Sequence, residues 1–431
     1  MNGKQFACLL ALALALLAAP VYAQNVQDED TSSSDAFFKQ FNAKKTIFSQ
    51  FRFTLEAKPE KSDESLQSFV AQMLATHYSF LGRPNDAVRT YPHHSEEKAP
   101  ADLPDPAGYE AMPAVDWIAS QAHEYRVIML NEAHHVPQTR LLTLELLTKL
   151  RKQGYTHFAA ETFALTNNLL PAGYPTRHTG YYTREPVFAE LVREAKRLGY
   201  VLVPYEPNDE DGEESQQQRE TGMAQTLADL VKQHPDAKLL VHAGYGHIAK
   251  STGTQPDAAD PMAREFIRLT GLPVLSITQT GLRWEDGQAA KRLAHAFGIT
   301  VPSVLLARDD KRVWSEAARA QYDASVLLPA VDAAAIRPDW LTLGGRRKPV
   351  AIDLTPCIQH LPCLAEARYA SEGEDAIPAD QFVMLADGEA GTPLYLAPGQ
   401  YRLRLLGNDD AILAERSLDV PADSPPAPET P

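Results

Sequence analysis

Cysteine is scarce, with three residues in 431, too few for a disulfide scaffold. Basic residues are in deficit, 41 Lys and Arg against 56 Asp and Glu. The resulting net charge of −15 argues against a nucleic-acid partner, whose phosphates it would repel. Beyond the N-terminus there is no apolar run long enough to cross a bilayer, so no transmembrane segment is expected after signal cleavage. Also missing are a Gly-x-Ser-x-Gly elbow, a P-loop, a His-Glu-x-x-His helix and a Gly-x-Gly-x-x-Gly turn. These absences speak against a serine hydrolase, an NTPase and a Rossmann dehydrogenase. What remains is ordinary globular composition, 44% hydrophobic and 23% charged, in a chain long enough for more than one domain.

Residues 1–23 read as a secretory signal peptide. Lys4 gives a positive start, Ala7 to Ala19 are apolar, and Val21-Tyr22-Ala23 places small residues at a cleavage site. The expectation is an exported, periplasmic or secreted protein. Cleavage removes Cys8 and leaves Cys357 and Cys363, close in sequence and best read as a local disulfide in an oxidising compartment.

Residues 24–105 read as a helical N-terminal region behind a polar leader, Gln24 to Asp35. Leu66, Phe69, Val70, Met73 and Leu74 recur at helical spacing, and Gly82 with Pro84 ends the run. Prolines 100, 104, 106 and 113 suggest a linker. Residues 106–335 alternate between strand and helix. Strand-like runs lie at Tyr125–Leu130, Thr156–Ala160, Tyr200–Pro204, Lys238–Val241 and Pro273–Ile277. Amphipathic stretches fall at Pro137–Lys152, Glu185–Leu198 and Gln217–Lys232. The strands are apolar on both parities, which predicts an α/β domain: a mostly parallel sheet with helices on both faces. Residues 336–420 change character. Short strands at Phe382–Leu385, Leu394–Leu396, Tyr401–Leu406 and Ala411–Val420 predict a small β-sandwich, and 421–431 read as a disordered Pro-rich tail.

Chemistry-bearing residues stand at the strand ends. The first predicted strand runs into Asn131-Glu132-Ala133-His134-His135 and the second into Glu161. The third is followed by Tyr205-Glu206, and the fourth leads through His242 to Gly244-Tyr245-Gly246-His247. In open parallel sheets the ligand crevice lies outside the carboxyl ends of the strands, so these groups should converge. Crowded carboxylates raise one another's pKa unless a histidine or a metal stands among them. A neutral imidazole beside a carboxylate is a general base near neutral pH. The same set could ligate a divalent metal that activates water, with Glu132, His134, Glu161 and His247 as the ligands. Both mechanisms stay open.

Together with Arg219-Glu220-Thr221-Gly222-Met223-Ala224, these motifs resemble the erythromycin esterase-like, ChaN-like and TraB/Tiki group over roughly residues 120–280. The resemblance implies an α/β core with Glu and His at strand ends. Its members include an esterase using histidine-activated water, metal-dependent peptidases and haem-binding lipoproteins. It implies Glu132, His134 or His135, Glu161 and His247 as the catalytic set, with Arg219 steadying an anion. Tyr205, Glu206 and His242 are candidate substrate contacts. Asn131 stands where the group has glycine. The function expected is an exported hydrolase acting on a small-molecule or peptide ester or amide. The alternative is a haem- or metal-binding protein without turnover.

Three further stretches invite plainer readings. The acidic run Asp209–Glu214 reads as a solvated loop, and it does not fit an EF-hand register because Pro207 would take the first ligand position. Arg177-His178-Thr179-Gly180-Tyr181-Tyr182 is a substrate contact or a packed surface loop. His93-His94 reads as exposed linker and Arg346-Arg347-Lys348 as solvated surface.

Overall fold

A computed structural model describes residues 31–92, 103–166, 168–207, 215–252, 258–282, 288–316 and 320–422. The expected signal peptide, the His93-His94 pair, the acidic run from 209 to 214 and nearly all of the Pro-rich tail lie outside them.

The described residues open with four helices: α1 (Thr31–Ala43), α2 (Ile47–Glu56), α3 (Glu64–Phe80) and α4 (Pro84–Thr90). The end of the expected polar leader is therefore helical. Asp63 caps α3 by accepting the Leu66 N–H. Next come β1 (Tyr109–Pro113), α5 (Ala114–Gln121), β2 (Val127–Glu132), α6 (Thr139–Arg151) and β3 (His157–Ala160). They are followed by α7 (Pro186–Arg197), β4 (Val201–Val203), α8 (Gln216–Gln233), β5 (Leu239–Gly244), α9 (Met262–Thr270) and β6 (Val274–Thr278). Then α10 (Gln288–Ala296), β7 (Ser303–Ala307) and β8 (Ala324–Ser325) complete the central region.

Six of these strands form one parallel sheet in the order β4-β3-β5-β2-β6-β8. Side chains alternate between its faces. Ile128, Leu130, Phe158 and Leu240 pack with Leu142, Leu146, Phe188 and Leu191 of α6 and α7. Val127, Met129, Ala159, Leu239 and Val241 pack on the other face with Met223, Leu227 and Phe266 of α8 and α9. Burial on both faces explains why these strands read as continuous apolar runs rather than alternating ones. Each expected strand and helix of this region is present, its ends shifted by a few residues. The expected linker is part strand, because Tyr109–Pro113 pairs antiparallel with β7.

Antiparallel strands follow: β9 (Lys348–Val350), β10 (Cys363–Tyr369), β11 (Asp380–Met384), β12 (Leu394–Leu396), β13 (Gly399–Leu406) and β14 (Ile412–Val420). They form a four-stranded sheet, β11-β10-β13-β14, and a β12-β9 pair around one apolar cluster. The Cys357–Cys363 disulfide is buried in that cluster. Arg347, expected on the surface, is buried with Nη2 3.3 Å from Glu190 of α7. Among the described residues no helix is long and apolar enough to cross a membrane.

The N-terminal helices close against this β region. Phe48, Phe51, Tyr78 and Leu81 share a cluster with Leu364 of β10 and Val383 of β11. The Gln381 side chain donates to the Phe80 carbonyl (2.7 Å), and the Val383 N–H donates to that of Leu81 (2.9 Å). Gly82 turns the chain there with φ of +75°, and a Cβ on it would lie 1.9 Å from the Gln381 carbonyl oxygen. Gly82→Ala meets both a left-handed backbone and that clash, so it should cost about 2 kcal/mol or more. The measurement is the urea midpoint, which should fall with the m-value unchanged.

Candidate functional site

Side-chain parity decides which groups meet. Glu132 continues the even series of β2, Ile128 and Leu130, and His242 continues that of β5, so both face α6 and α7. Glu161 follows Ala159 in parity and faces α8. Two clusters form, each around an arginine from the covering helix.

The first is sealed. Arg140 of α6 is fully buried. Its Nε donates to Glu132 Oε2 (2.6 Å), Nη1 to Glu185 Oε2 (2.8 Å) and Nη2 to the His134 carbonyl (3.0 Å). Burial alone would raise the Glu132 carboxyl. The Arg140 charge, with hydrogen bonds from His134 and His242, instead holds it well below the usual carboxylate range. His242 Nε2 lies 3.1 Å from Glu132 Oε2, and its Nδ1 lies 3.0 Å from the Thr143 hydroxyl. His242 is thus wholly engaged inside the protein. Tyr205 is also buried, and its hydroxyl donates to the His242 carbonyl (3.0 Å).

The second cluster lies nearer the rim. Arg219 of α8 donates through Nη2 to both Glu161 Oε1 (2.8 Å) and Glu206 Oε1 (2.5 Å). Glu161 Oε2 accepts the Gly244 N–H (2.5 Å). The two carboxyls separate in acidity. Burial would raise Glu161, but His247 and Arg219 pull it down to about 2. Burial and the neighbouring Glu161 charge push Glu206 up to about 7. His247 Nδ1 lies 2.8 Å from Glu220 Oε1, while its Nε2 lies 3.2 Å from Arg219 Nη1 and 3.6 Å from Glu161 Oε1. The neutral ring donates to Glu220 and accepts from Arg219, and a protonated ring turns its second N–H toward Glu161. Burial lowers the His247 pKa, but Glu161 and Glu220 outweigh it and raise it.

His134 joins the clusters. Its Nδ1–H donates to Glu132 Oε1 (2.8 Å), and the other edge of the ring faces Gly244, where a Cβ would lie 2.6 Å from Nε2 and 3.1 Å from Glu161 Oε2. Glycine is therefore required at 244 on steric grounds. The Tyr182 ring lies flat on His134, with centroids 3.8 Å apart and 8° between planes. His135 turns elsewhere, stacked on Tyr91 at 3.7 Å, with Nδ1 3.2 Å from the Tyr245 hydroxyl. The gap lined by Glu132, His134, Glu161, Tyr182, His242 and Gly244 is too narrow to hold a free water.

Glu132, His134, Glu161, His242 and Gly244 therefore meet at one gap, with Glu206, Arg219 and His247 beside it. Sequence reasoning did not single out Arg140 or Glu185; it met Glu220 only inside the Arg219–Ala224 motif, and Tyr182 within the Arg177–Tyr182 stretch read as a substrate contact or a packed surface loop. A charged residue inside the apolar Thr139–Leu150 run was the available signal for Arg140. Tyr182 reaches the gap from the Arg177–Tyr182 stretch, an insertion between β3 and α7.

Among the described residues no three His, Cys, Asp or Glu side chains could hold a metal ion together. The chemistry of the donors explains why Glu132, His134, Glu161 and His247 do not form such a set. Both oxygens of Glu132 already accept from Arg140 and the histidines, and both oxygens of Glu161 accept from Arg219 and Gly244. The guanidinium groups supply the positive charge that a divalent ion would bring.

Arg140→Met leaves Glu132 buried without its counter-charge and should cost about 3–5 kcal/mol at pH 7. In the wild type the Glu132 pKa is depressed, so its stabilisation is lost as pH falls. In the variant burial raises that pKa instead, so the deficit should shrink as pH drops toward 4.5 and grow toward 7. Thermal denaturation across that range checks the sign.

No family model, no curated protein and no solved structure matches this chain.

Proposed function

We propose that the chain is an exported hydrolase in which His134, oriented by Glu132, activates water for attack on an ester or amide carbonyl. One observation carries this reading. Glu132 stays ionised and accepts the Nδ1–H of His134, which leaves the Nε2 lone pair as the basic site. Among the described residues that nitrogen has no hydrogen-bond partner. His135, fixed between Tyr91 and Tyr245, is the less suitable base.

The step runs as follows. Nε2 takes a proton from water as its oxygen bonds to the carbonyl carbon. The oxyanion develops beside Arg219, whose position Glu161 and Glu206 fix. The C–O or C–N bond then breaks, and the leaving group takes the proton back from the imidazolium. Room for the water comes from movement of Tyr182, the ring that covers His134. In the same reading, residues 106–335 carry the reaction between a helical region at 24–105 and a small β domain at 336–420. The group resembled in the motifs supports this reading through Glu132, Glu161 and His247. It also contains haem and metal binders, a role that the arginine-filled carboxylates of this chain do not favour.

A panel of aryl esters and peptide amides tests the proposal. His134→Ala and Glu132→Gln should lower kcat by about 10²–10⁴-fold, with circular dichroism unchanged. Turnover that survives both substitutions, or is absent from the whole panel in the wild type, overturns the reading. Glu206 should also shape the pH profile. It is protonated below about 7 and gains a negative charge above it, which competes with the oxyanion for Arg219. The rate should therefore fall as pH rises through about 7, and Glu206→Gln should remove that limb.

A further inference from the structure

The insertion that carries Tyr182 also carries Arg184, a guanidinium without a counter-charge among the described residues. The other partly or fully buried arginines named so far have one: Arg140 pairs with Glu132, Arg219 with Glu161, and Arg347 with Glu190. Near the N-terminal helices, Arg83 pairs with Glu389 and Arg337 with Asp380. Arg184 donates only its Nε–H, to the Arg177 carbonyl (3.1 Å), and its guanidinium lies over the Tyr181 ring, 5.3 Å from the centroid. Among the described residues neither Nη atom has an acceptor. Burial lowers the Arg184 pKa, and the Arg177 charge lowers it further. The same charge acts on the other side: burial and Arg184 together push His77 of α3 down to about 3. A partly buried cation left uncompensated is costly.

Its surroundings suit an oxyanion. Arg177 is exposed and adjacent, and its Nε lies 3.2 Å from His178 Nε2. The Tyr181 hydroxyl is buried without a partner among the described residues. It is a donor that an anion's oxygens could use. The segment is held in shape. The Tyr182 N–H donates to the Thr162 hydroxyl (2.7 Å), and the Thr183 hydroxyl donates to the Gly180 carbonyl (2.9 Å). A Cβ on Gly180 would lie 2.0 Å from the Thr162 carbonyl oxygen, so this turn packs directly on the strand-end loop after β3.

We infer that Arg184, with Arg177 and Tyr181, forms a binding site for a carboxylate or phosphate group. Two aromatic rings connect it to the candidate active site. Tyr181 and Tyr182 stand edge to face with centroids 5.2 Å apart, and Tyr182 lies on His134 at 3.8 Å. An anion at Arg184 is therefore placed where the acidic arm of a larger molecule would sit while its remainder reaches His134. That role rests on the hydrolase reading; the existence of the site does not.

Calorimetric titration of the full chain at low ionic strength tests the site without any turnover. The probes are inorganic phosphate and acetate, beside phenyl phosphate and benzoate. The wild type should bind phosphate or benzoate with millimolar or better affinity. Arg184→Gln should weaken binding about tenfold or more, and Arg184→Lys should restore part of it. Arg177→Gln, on the exposed neighbour, gives the same direction should Arg184→Gln fail to fold. Tighter binding of the aryl anions marks the arm of a larger molecule stacked on Tyr181, and equal binding marks a free anion. No saturable binding by the wild type, or equal binding by Arg184→Gln, overturns the inference. Because no hydrolysis is read, neither result depends on the fate of the His134 mechanism.

Discussion

The Arg140 guanidinium ties the end of β2 and the turn that follows it to the start of α7. It has no solvent exposure, so its N–H groups must all be answered from within the protein or left at a cost of several kcal/mol. Glu132 at the end of β2, Glu185 before α7 and the His134 carbonyl answer four of the five. Glu185 is also the N-cap of α7, accepting the Phe188 N–H at 2.8 Å. One cation thereby fixes a strand end, a helix start and the backbone of the residue read as the base. His134 is held at both ends, through its carbonyl by Arg140 and through Nδ1 by the carboxylate that Arg140 keeps ionised.

The second arginine does different work because it sits differently. Arg219 also serves two carboxyls, but close to the rim, and the two are unequal. Glu161 has a backbone N–H and a histidine in addition to its share of the guanidinium, so it keeps its charge. Glu206 has the guanidinium alone among these and feels Glu161 beside it, so it holds a proton up to about pH 7. Like charges around one cation divide in this way. The sheet thus separates its buried chemistry: on the α6–α7 face a pair whose charges are fixed, and on the α8 face a pair whose proton can move. His134, at the edge between them, is positioned by the first and faces the second.

Much of this was legible in the residues. Doubly apolar strands pointed to the parallel sheet, and consecutive strand ends carrying Glu or His pointed to the candidate site. The parity of Glu132 and Glu161 relative to their own strands already sent them to opposite faces. What was hidden depends on partners distant in sequence. Choosing between His134 and His135 needs Tyr91, Tyr182 and Tyr245, each from a different segment. Arg140 hid among leucines as one polar residue of an amphipathic helix. β10 was missed because Glu366 and Arg368 interrupt its apolar residues; they pair with each other along the strand (2.8 Å), which removes the cost of placing them there. The contact between α3 and β11 joins residues some three hundred apart, beyond the reach of local pattern.

Asn131 braces the turn that holds the two histidines. Tyr245 adopts φ of +42°, a left-handed backbone that costs a non-glycine residue about 1 kcal/mol or more. Asn131 donates its side-chain N–H groups to the Tyr245 carbonyl (2.7 Å) and the Thr280 hydroxyl (2.8 Å), and accepts the Gln279 N–H (2.7 Å). The Tyr245 N–H donates to the Glu132 carbonyl (2.9 Å). Glycine at 131 could make none of these side-chain bonds. Held this way, the Tyr245 ring stands at right angles to His134, with centroids 5.1 Å apart, while its hydroxyl meets His135. Asn131 therefore braces the tyrosine that stands between the two histidines, and with Tyr182 that tyrosine sets which of them faces Glu161.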